Sequence, residues 1–224
     1  MKLLVFDTST DACSCATYVD GAVTERHEIA PRRHAQLLLG MIDQTLAESG
    51  VTLSSLDAIA FGRGPGSFTG VRIAAATAQA LALGADVPVV PVSSLAALAQ
   101  GVHAENGASR IAAALDARMD EVYWGVYEAG EDALVRASQP ERVCAPRALP
   151  PLEGGNWTGA GGGWQAYGAE LHRKFEGAIV QTLSERHPTA GAAALLAADA
   201  YGHGGGVEAR NALPVYLRDR VTRA

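Results

Sequence analysis

The chain opens on a short apolar run, Leu3 to Phe6, that stops at Asp7, the pattern of a strand buried on both faces. The stretch CSCATYVDGAVTERHEIA then alternates and breaks at Asp20-Gly21, which predicts a hairpin with a two-residue turn. From His34 to Ser49 the apolar positions take helical spacing. Asp57 to Gly62 reads as another short strand, GRGPGSFTG as a glycine-rich loop, Val71 to Gly84 as a helix and VPVVPV as a strand. The second half begins in the same way: RIAAALDARMDEVYWGVYEAG is an apolar run to an aspartate, a turn and an alternating strand, so Asp116 stands where Asp7 stood. GNWTGAGGGWQAYGAELHRKF follows as a glycine loop opening a helix. PTAGAAALLAADAYGHGGG follows as a helix with Thr189 near its start and glycines at its end. These patterns predict an α/β chain of two related domains, 1–104 and 105–224, divided within the polar stretch Gln100 to Arg110.

Two of the predicted helices carry more apolar surface than one sheet contact needs. On a 3.6-residue wheel Leu37, Leu38, Leu39, Met41, Ile42 and Leu46 sweep roughly 200 degrees, against about 100 for a single buried stripe. Val71 to Gly84 holds Arg72 as its one charge, spreads Ile73, Leu81 and Leu83 around the helix, and is otherwise rich in alanine. Both helices buried within one domain is one reading. The other is a helical interface, because leaving three such side chains in water forgoes roughly 5 to 9 kcal/mol. On that reading the contact residues are His34, Leu37, Leu38, Met41, Ile42 and Thr45 from the first helix. The second helix supplies Val71, Arg72, Ala75, Ala78, Gln79 and Ala82. Arg72 is expected either to pair with an acidic partner residue or to reach solvent.

The formal net charge of −6 disfavours unaided binding to a nucleic-acid backbone. Three cysteines, Cys13, Cys15 and Cys144, do not make a secreted disulfide framework, so a reduced, cytoplasmic protein is expected. The first apolar run is too short for a signal peptide, and no later run approaches a membrane span.

Candidate chemistry is sparse. The glycine loop matches neither the Walker nor the dinucleotide fingerprint, yet Gly64, Gly66 and Gly70 permit close approach and the following helix start presents amides to an anion. Tight packing of the loop is the competing use. Asp7 and Asp116 each end a strand, where such sheets place ligands; they suit either Mg-nucleotide binding or turn capping. Asp7, Thr8, Ser9, Gly64, Gly66, Ser67 and Asp116 therefore form a candidate vestigial nucleotide or anion site. The six histidines lack zinc spacing, so no metal site is expected, and Ser9 and Ser67 have no assignable triad partners. Arg218, Arg220 and Arg223 make the tail basic; it is expected to pack as a strand or to meet a partner.

The segments LLVFDTST, RRHAQLLLGMID, AFGRGPGSFTGVRIAAATAQALA, PVVPVSSLAALA, ALDARMDEVYWGVY and PVYLRDRVT together resemble the TsaB family, also called YeaZ, from end to end. The resemblance implies an actin-like, Hsp70-like ATPase fold of two related domains. It also implies a role beside the catalytic paralogue TsaD in placing a threonylcarbamoyl group on the adenosine next to the tRNA anticodon. Implied partners are TsaD, the TsaE ATPase and a second copy of the chain through the first-domain helices, with tRNA met only through the complex. ATP and magnesium are expected on partner subunits and no cofactor on this chain. Where TsaD has a metal-binding His-x-x-x-His, this chain has Ser94 and Leu98. Where actin-like ATPases have Asp-x-Gly-Thr, DTST puts Ser9 in place of the glycine. Both departures imply a degenerate site and a non-catalytic subunit. A stand-alone ATPase or phosphotransferase is the alternative reading, and a glycoprotein peptidase a weaker one.

Overall fold

Both halves of the chain build the same sheet. The structure, a computed structural model, describes residues 1–218, so Arg220 and Arg223 of the tail lie outside the described residues. The first half runs β1 (Lys2–Asp7), β2 (Ala12–Val19), β3 (Ala22–Ile29), α1 (His34–Ser49), β4 (Ala58–Gly62), α2 (Phe68–Ala85), β5 (Val89–Val92) and α3 (Ser94–Asn106). The second runs β6 (Arg110–Arg118), β7 (Glu121–Ala129), β8 (Val135–Ala137), β9 (Arg142–Cys144), β10 (Trp157–Ala160), α4 (Gly162–Lys174), β11 (Ile179–Leu183) and α5 (Ala190–Gly202). The first sheet has the order β3-β2-β1-β4-β5 and the second β8-β7-β6-β10-β11, with β9 also pairing β7. In each, the opening strand pairs antiparallel with the next and parallel with the strand that follows the long connection. The parallel crossovers are made by α2 and α4, as parallel pairing requires. The expected hairpin is present: Val19 pairs with Ala22, and Asp20 and Gly21 sit at φ 48° and 100°, the positive values such a turn needs.

Each sheet is covered on both faces, but the helices do not respect the linear division. Helices α1 and α2 lay Leu38, Met41, Ile42, Ala74, Ala78 and Ala82 on Leu4, Phe6, Ile59 and Phe61 of the first sheet. Its opposite face is covered by α5, from the far end of the chain, through Ala190, Ala193, Ala194 and Ala197 against Leu3, Val5, Ala58, Ala60 and Val90. Conversely, α3 from the first half packs Leu95, Leu98 and Val102 on Ile111, Ala113, Leu115 and Tyr127 of the second sheet. Helix α4 closes the outer face of that sheet around Trp124, Trp157, Trp164 and Phe175. The strands divide near residue 104; α3 and α5 each reach across to the opposite lobe.

The polar stretch Gln100 to Arg110, read as the boundary, is built into the fold. It completes α3, ends it at Gly107 in the left-handed conformation and enters β6 directly. Gln100 is 1% exposed, and its amide donates to the Ala133 carbonyl (2.9 Å) and accepts from the Val135 amide (2.9 Å). A buried polar group fully satisfied in this way reads as surface in a sequence. The tail is packed as far as it is described: Val207 exchanges backbone hydrogen bonds with Val89, Ala212 is fully buried beside α2, and Val215 donates to the Arg63 carbonyl.

The alanine face of α5 leaves no room for longer side chains. Ala194→Leu is expected to lower unfolding free energy by about 1 to 3 kcal/mol, measured in urea, through overpacking between α5 and the first sheet.

Candidate functional site: the interlobe cleft and the outer helix pair

At the end of β1 the chain turns on its own carboxylate. Asp7 is 1% exposed; its Oδ1 accepts from the Ser9 amide (2.7 Å) and hydroxyl (2.6 Å), and its Oδ2 accepts from the Ser94 hydroxyl (2.8 Å). Burial pushes the Asp7 carboxyl above the ordinary carboxylate range, against the lowering effect of these hydrogen bonds. The glycine loop closes over this turn. Ser67 donates its amide to the Ser9 carbonyl (2.7 Å), and Thr8 donates its hydroxyl to the Gly70 carbonyl (2.7 Å). A Cβ at Gly66 would stand 2.3 Å from the Ser9 carbonyl oxygen, and one at Gly70 would stand 1.9 Å from that of Thr8. On the adjacent strand a Cβ at Gly62 would stand 1.8 Å from Asp7 Oδ2. These glycines exist so that two backbones and one carboxylate can touch.

The candidate anion site is thus split. Ser9, Gly66, Ser67 and Asp116 line a cleft of about 1150 Å³ between the lobes, whereas Asp7, Thr8 and Gly64 are sealed behind it. The expectation that Asp7 and Asp116 face one cleft is corrected: only Asp116 does. Its Oδ1 accepts from the Arg118 amide (2.7 Å) and the Tyr167 hydroxyl (3.3 Å), and its Oδ2 pairs with the Arg118 guanidinium (3.0 Å). The rest of the wall includes Thr10, Phe68, Met119, Tyr123, Gln165 and His187. Half-buried His187 reaches from the β11–α5 connection to the Thr10 hydroxyl (3.2 Å), and burial lowers its pKa. Its histidine spacing carried no signal; its place beyond the carboxyl end of a parallel strand was the available clue. Ser94 and Leu98 both point inward, the first to Asp7 and the second into the core under α3. Among the described residues no group of three His, Cys, Asp or Glu side chains is placed to hold a metal ion. Burial pushes the Cys13 and Cys15 thiols up to about 11 and about 12, so both act as small apolar residues of the core.

The helix pair is built as expected, and most of the residues named for a contact turn toward their own lobe. His34, Leu38, Met41, Ile42, Thr45, Val71, Ala75, Ala78 and Ala82 are at most 8% exposed and face their own sheet or neighbouring loops. Most of their surface is taken up by their own lobe. His34 is spent on the Ala12 carbonyl (3.2 Å), and Thr45 donates back to Met41 (2.7 Å). Leu37 and Gln79 are half-buried, and Gln79 gives its amide to the Ala212 carbonyl (3.1 Å). The large apolar side chains left exposed are Leu39 at 57%, Phe68 at 51% and Leu83 at 79%, among exposed Ala35, Gly40, Ala76 and Ala80 and, on α1, the polar Gln36, Asp43, Gln44 and Glu48. Arg72 is exposed, as the solvent reading expects, and is held there within its own chain. Its guanidinium lies 3.3 Å from the Phe68 ring centroid, and its Nε donates to the Tyr216 hydroxyl (2.9 Å).

Two lobes with one repeated sheet topology, closed around a cleft that receives the carboxyl ends of their first strands, define the actin-like, Hsp70-like ATPase fold class. The family model for TsaD, tRNA N6-adenosine threonylcarbamoyltransferase, matches residues 23–219. The chain is 41% identical to the tRNA threonylcarbamoyladenosine biosynthesis protein TsaB of Escherichia coli (strain K12), over 99% of this chain and 96% of that one. It is likewise 41% identical to the TsaB of Haemophilus influenzae, over 99% and 95%. The solved structure of YeaZ from Pseudomonas aeruginosa superposes with a TM-score of 0.90 at 47% identity, covering 96% of this chain and 99% of that chain. The chain belongs to the TsaB family.

Gly62→Ala is expected to abolish the native fold or cost several kcal/mol, read as a collapsed urea midpoint, since the added methyl has only the Asp7 carboxylate to displace. The raised Asp7 pKa sets a sign as well. The folded state keeps a proton that the unfolded chain loses near its ordinary value of 3.8, so this group's stabilising contribution is complete below that pH and is lost as pH rises through the folded pKa. Asp7→Asn removes the dependence. Relative to that variant, the unmodified protein is expected to lose stability as pH rises above about 4, as measured by urea unfolding at each pH.

Proposed function

We propose that this chain is a non-catalytic subunit that supports a TsaD-type paralogue in transferring a threonylcarbamoyl group to the adenosine beside the tRNA anticodon. The curated relatives are named for tRNA threonylcarbamoyladenosine biosynthesis, and the matching family model is named for the transferase itself. The observation that carries the subunit reading is the contrast between the two places where this chain could act. The first-lobe aspartate is consumed inside the fold by Ser9 and Ser94, whereas the outer surface of α1 and α2 leaves Leu39 and Leu83 in water. Chemistry is therefore assigned to the partner and surface to this chain.

In this reading the outer helix surface docks on the TsaD paralogue or on a second copy of the chain, and a TsaE-type ATPase joins the assembly. ATP and magnesium belong to those partners, this chain requires no cofactor, and tRNA is met only through the complex. The setting is the cytoplasm. Among the described residues no helix is long and apolar enough to cross a membrane.

Leu39→Glu with Leu83→Glu tests the surface directly, because both side chains are exposed and the fold should survive. Against purified TsaD, in size-exclusion and titration measurements, the double variant is expected to bind at least roughly a hundredfold more weakly, from the two lost apolar contacts and the two buried charges. Unchanged affinity with an intact circular dichroism spectrum would contradict the docking surface.

A further inference from the structure

After α5 the chain returns along the first lobe and then leaves it. Val207 is hydrogen-bonded to β5, Ala212 is buried under α2, and Val215 donates to the Arg63 carbonyl (2.8 Å). Tyr216 sits on the rim of the cleft, accepting from Arg72 and lying 5.9 Å, centroid to centroid, from Phe68. Two residues later Arg218 has crossed to the second lobe. It is 17% exposed, forms a charge-assisted hydrogen bond to Glu121, donates to the Arg118 carbonyl (3.3 Å) and touches the Met119 sulfur (3.6 Å). These acceptors lie on and beside the β6–β7 turn, where Arg118, Met119 and Asp120 hold positive φ of 60°, 56° and 60°. Tyr216, Arg218, Arg118, Met119 and Tyr123 all line the cleft.

We infer that residues 213–218 form a strap across the mouth of the interlobe cleft, anchored on the first lobe by Val215 and Tyr216 and hooked to the second by Arg218, and that this hook holds the lobes closed. The anchor and the hook differ in strength. Backbone hydrogen bonds of Val207 and Val215 and the burial of Ala212 fix the tail to the first lobe, whereas among the described residues its attachment to the second rests on the Arg218 guanidinium. Opening the cleft therefore breaks the hook and leaves the anchor in place. The Thr10–His187 hydrogen bond is a neutral contact of lower strength between the lobes. With α3 and α5 joining the lobes at the base of the cleft, the Arg218 hook is the contact at its mouth that a ligand or partner competing for the Glu121 carboxylate would release. This device is independent of which partner docks on α1 and α2.

The test measures the distance between the lobes in the full-length chain. Spin labels at exposed Ser54 and Glu170, with Cys144→Ser to leave only buried native thiols, report the distance distribution by pulsed electron paramagnetic resonance. Arg218→Ala is expected to lengthen and broaden the distribution. The open-to-closed ratio should rise by roughly fivefold, the scale of one partly exposed charge-assisted pair. Arg218→Lys, which keeps a cation within reach of Glu121, should stay near the wild-type width. Amide exchange at Val215 should remain slow in both variants, since the anchor persists. A distribution for Arg218→Ala that matches the wild type, with the fold intact by circular dichroism, would overturn the strap as the closing element. Fast exchange at Val215 in that variant would overturn the separation of anchor from hook.

Discussion

The fold turns on the burial of one carboxylate. Asp7 needs Gly62 beside it for space, Ser9 and Ser94 for hydrogen bonds, and Gly66 and Gly70 so that the loop above can close. Each requirement places another part of the molecule. Ser94 starts α3, which crosses to the second sheet, and the loop that ends at Ser67 starts α2, which covers the first. A desolvated carboxylate with its lone pairs satisfied is stable only while every donor stays in place, so the turn, the loop and both helix starts are set together.

That constraint also separates the two lobes in function. The repeated topology brings an aspartate to the end of each first strand, but only Asp116 opens on the cleft, and it is already held by Arg118 and Tyr167. The serine in DTST is part of the difference: its hydroxyl donates to Asp7 rather than leaving the bare backbone that a phosphate would approach. What the first lobe presents outward is the far side of α1 and α2, where exposed Leu39 and Leu83 stand among small residues and, on α1, the polar Gln36, Asp43, Gln44 and Glu48. On the proposed role, these exposed leucines are the apolar anchors of the docking surface.

Local features were legible from the residues because local rules decide them. The limits of α1, the Asp20-Gly21 hairpin and the matching positions of Asp7 and Asp116 all follow from periodicity and turn chemistry. The features that depend on distant partners were not. A helical wheel gives the width of the apolar arc on α1 but not which flank meets the sheet, so most of the residues named for a contact are buried, while Leu37, Arg72 and Gln79 are not. Helix α5 is alanine-rich with Asp199 as its one charge, and nothing in its pattern shows that it lies on the sheet of the other half. Gln100 reads as polar surface until Ala133 and Val135 are seen to satisfy it, and Arg72 reads as unpaired until Phe68 and Tyr216 are brought to it. The glycine loop was open to two readings, and the distances from Gly66 and Gly70 to the Ser9 and Thr8 carbonyls favour packing.

On the proposed role, the carboxylates of this chain shape the molecule and the partner performs the transfer. The most direct measurement is threonylcarbamoyl transfer to tRNA, reconstituted from purified TsaD, TsaE and threonylcarbamoyl-AMP with either the unmodified chain or its Asp116→Asn variant, with complex formation followed in the same samples. The account predicts equal rates with both chains and a much lower rate when the chain is omitted. A complex that forms normally with Asp116→Asn yet fails to transfer would show that this chain supplies a catalytic group, and would contradict it.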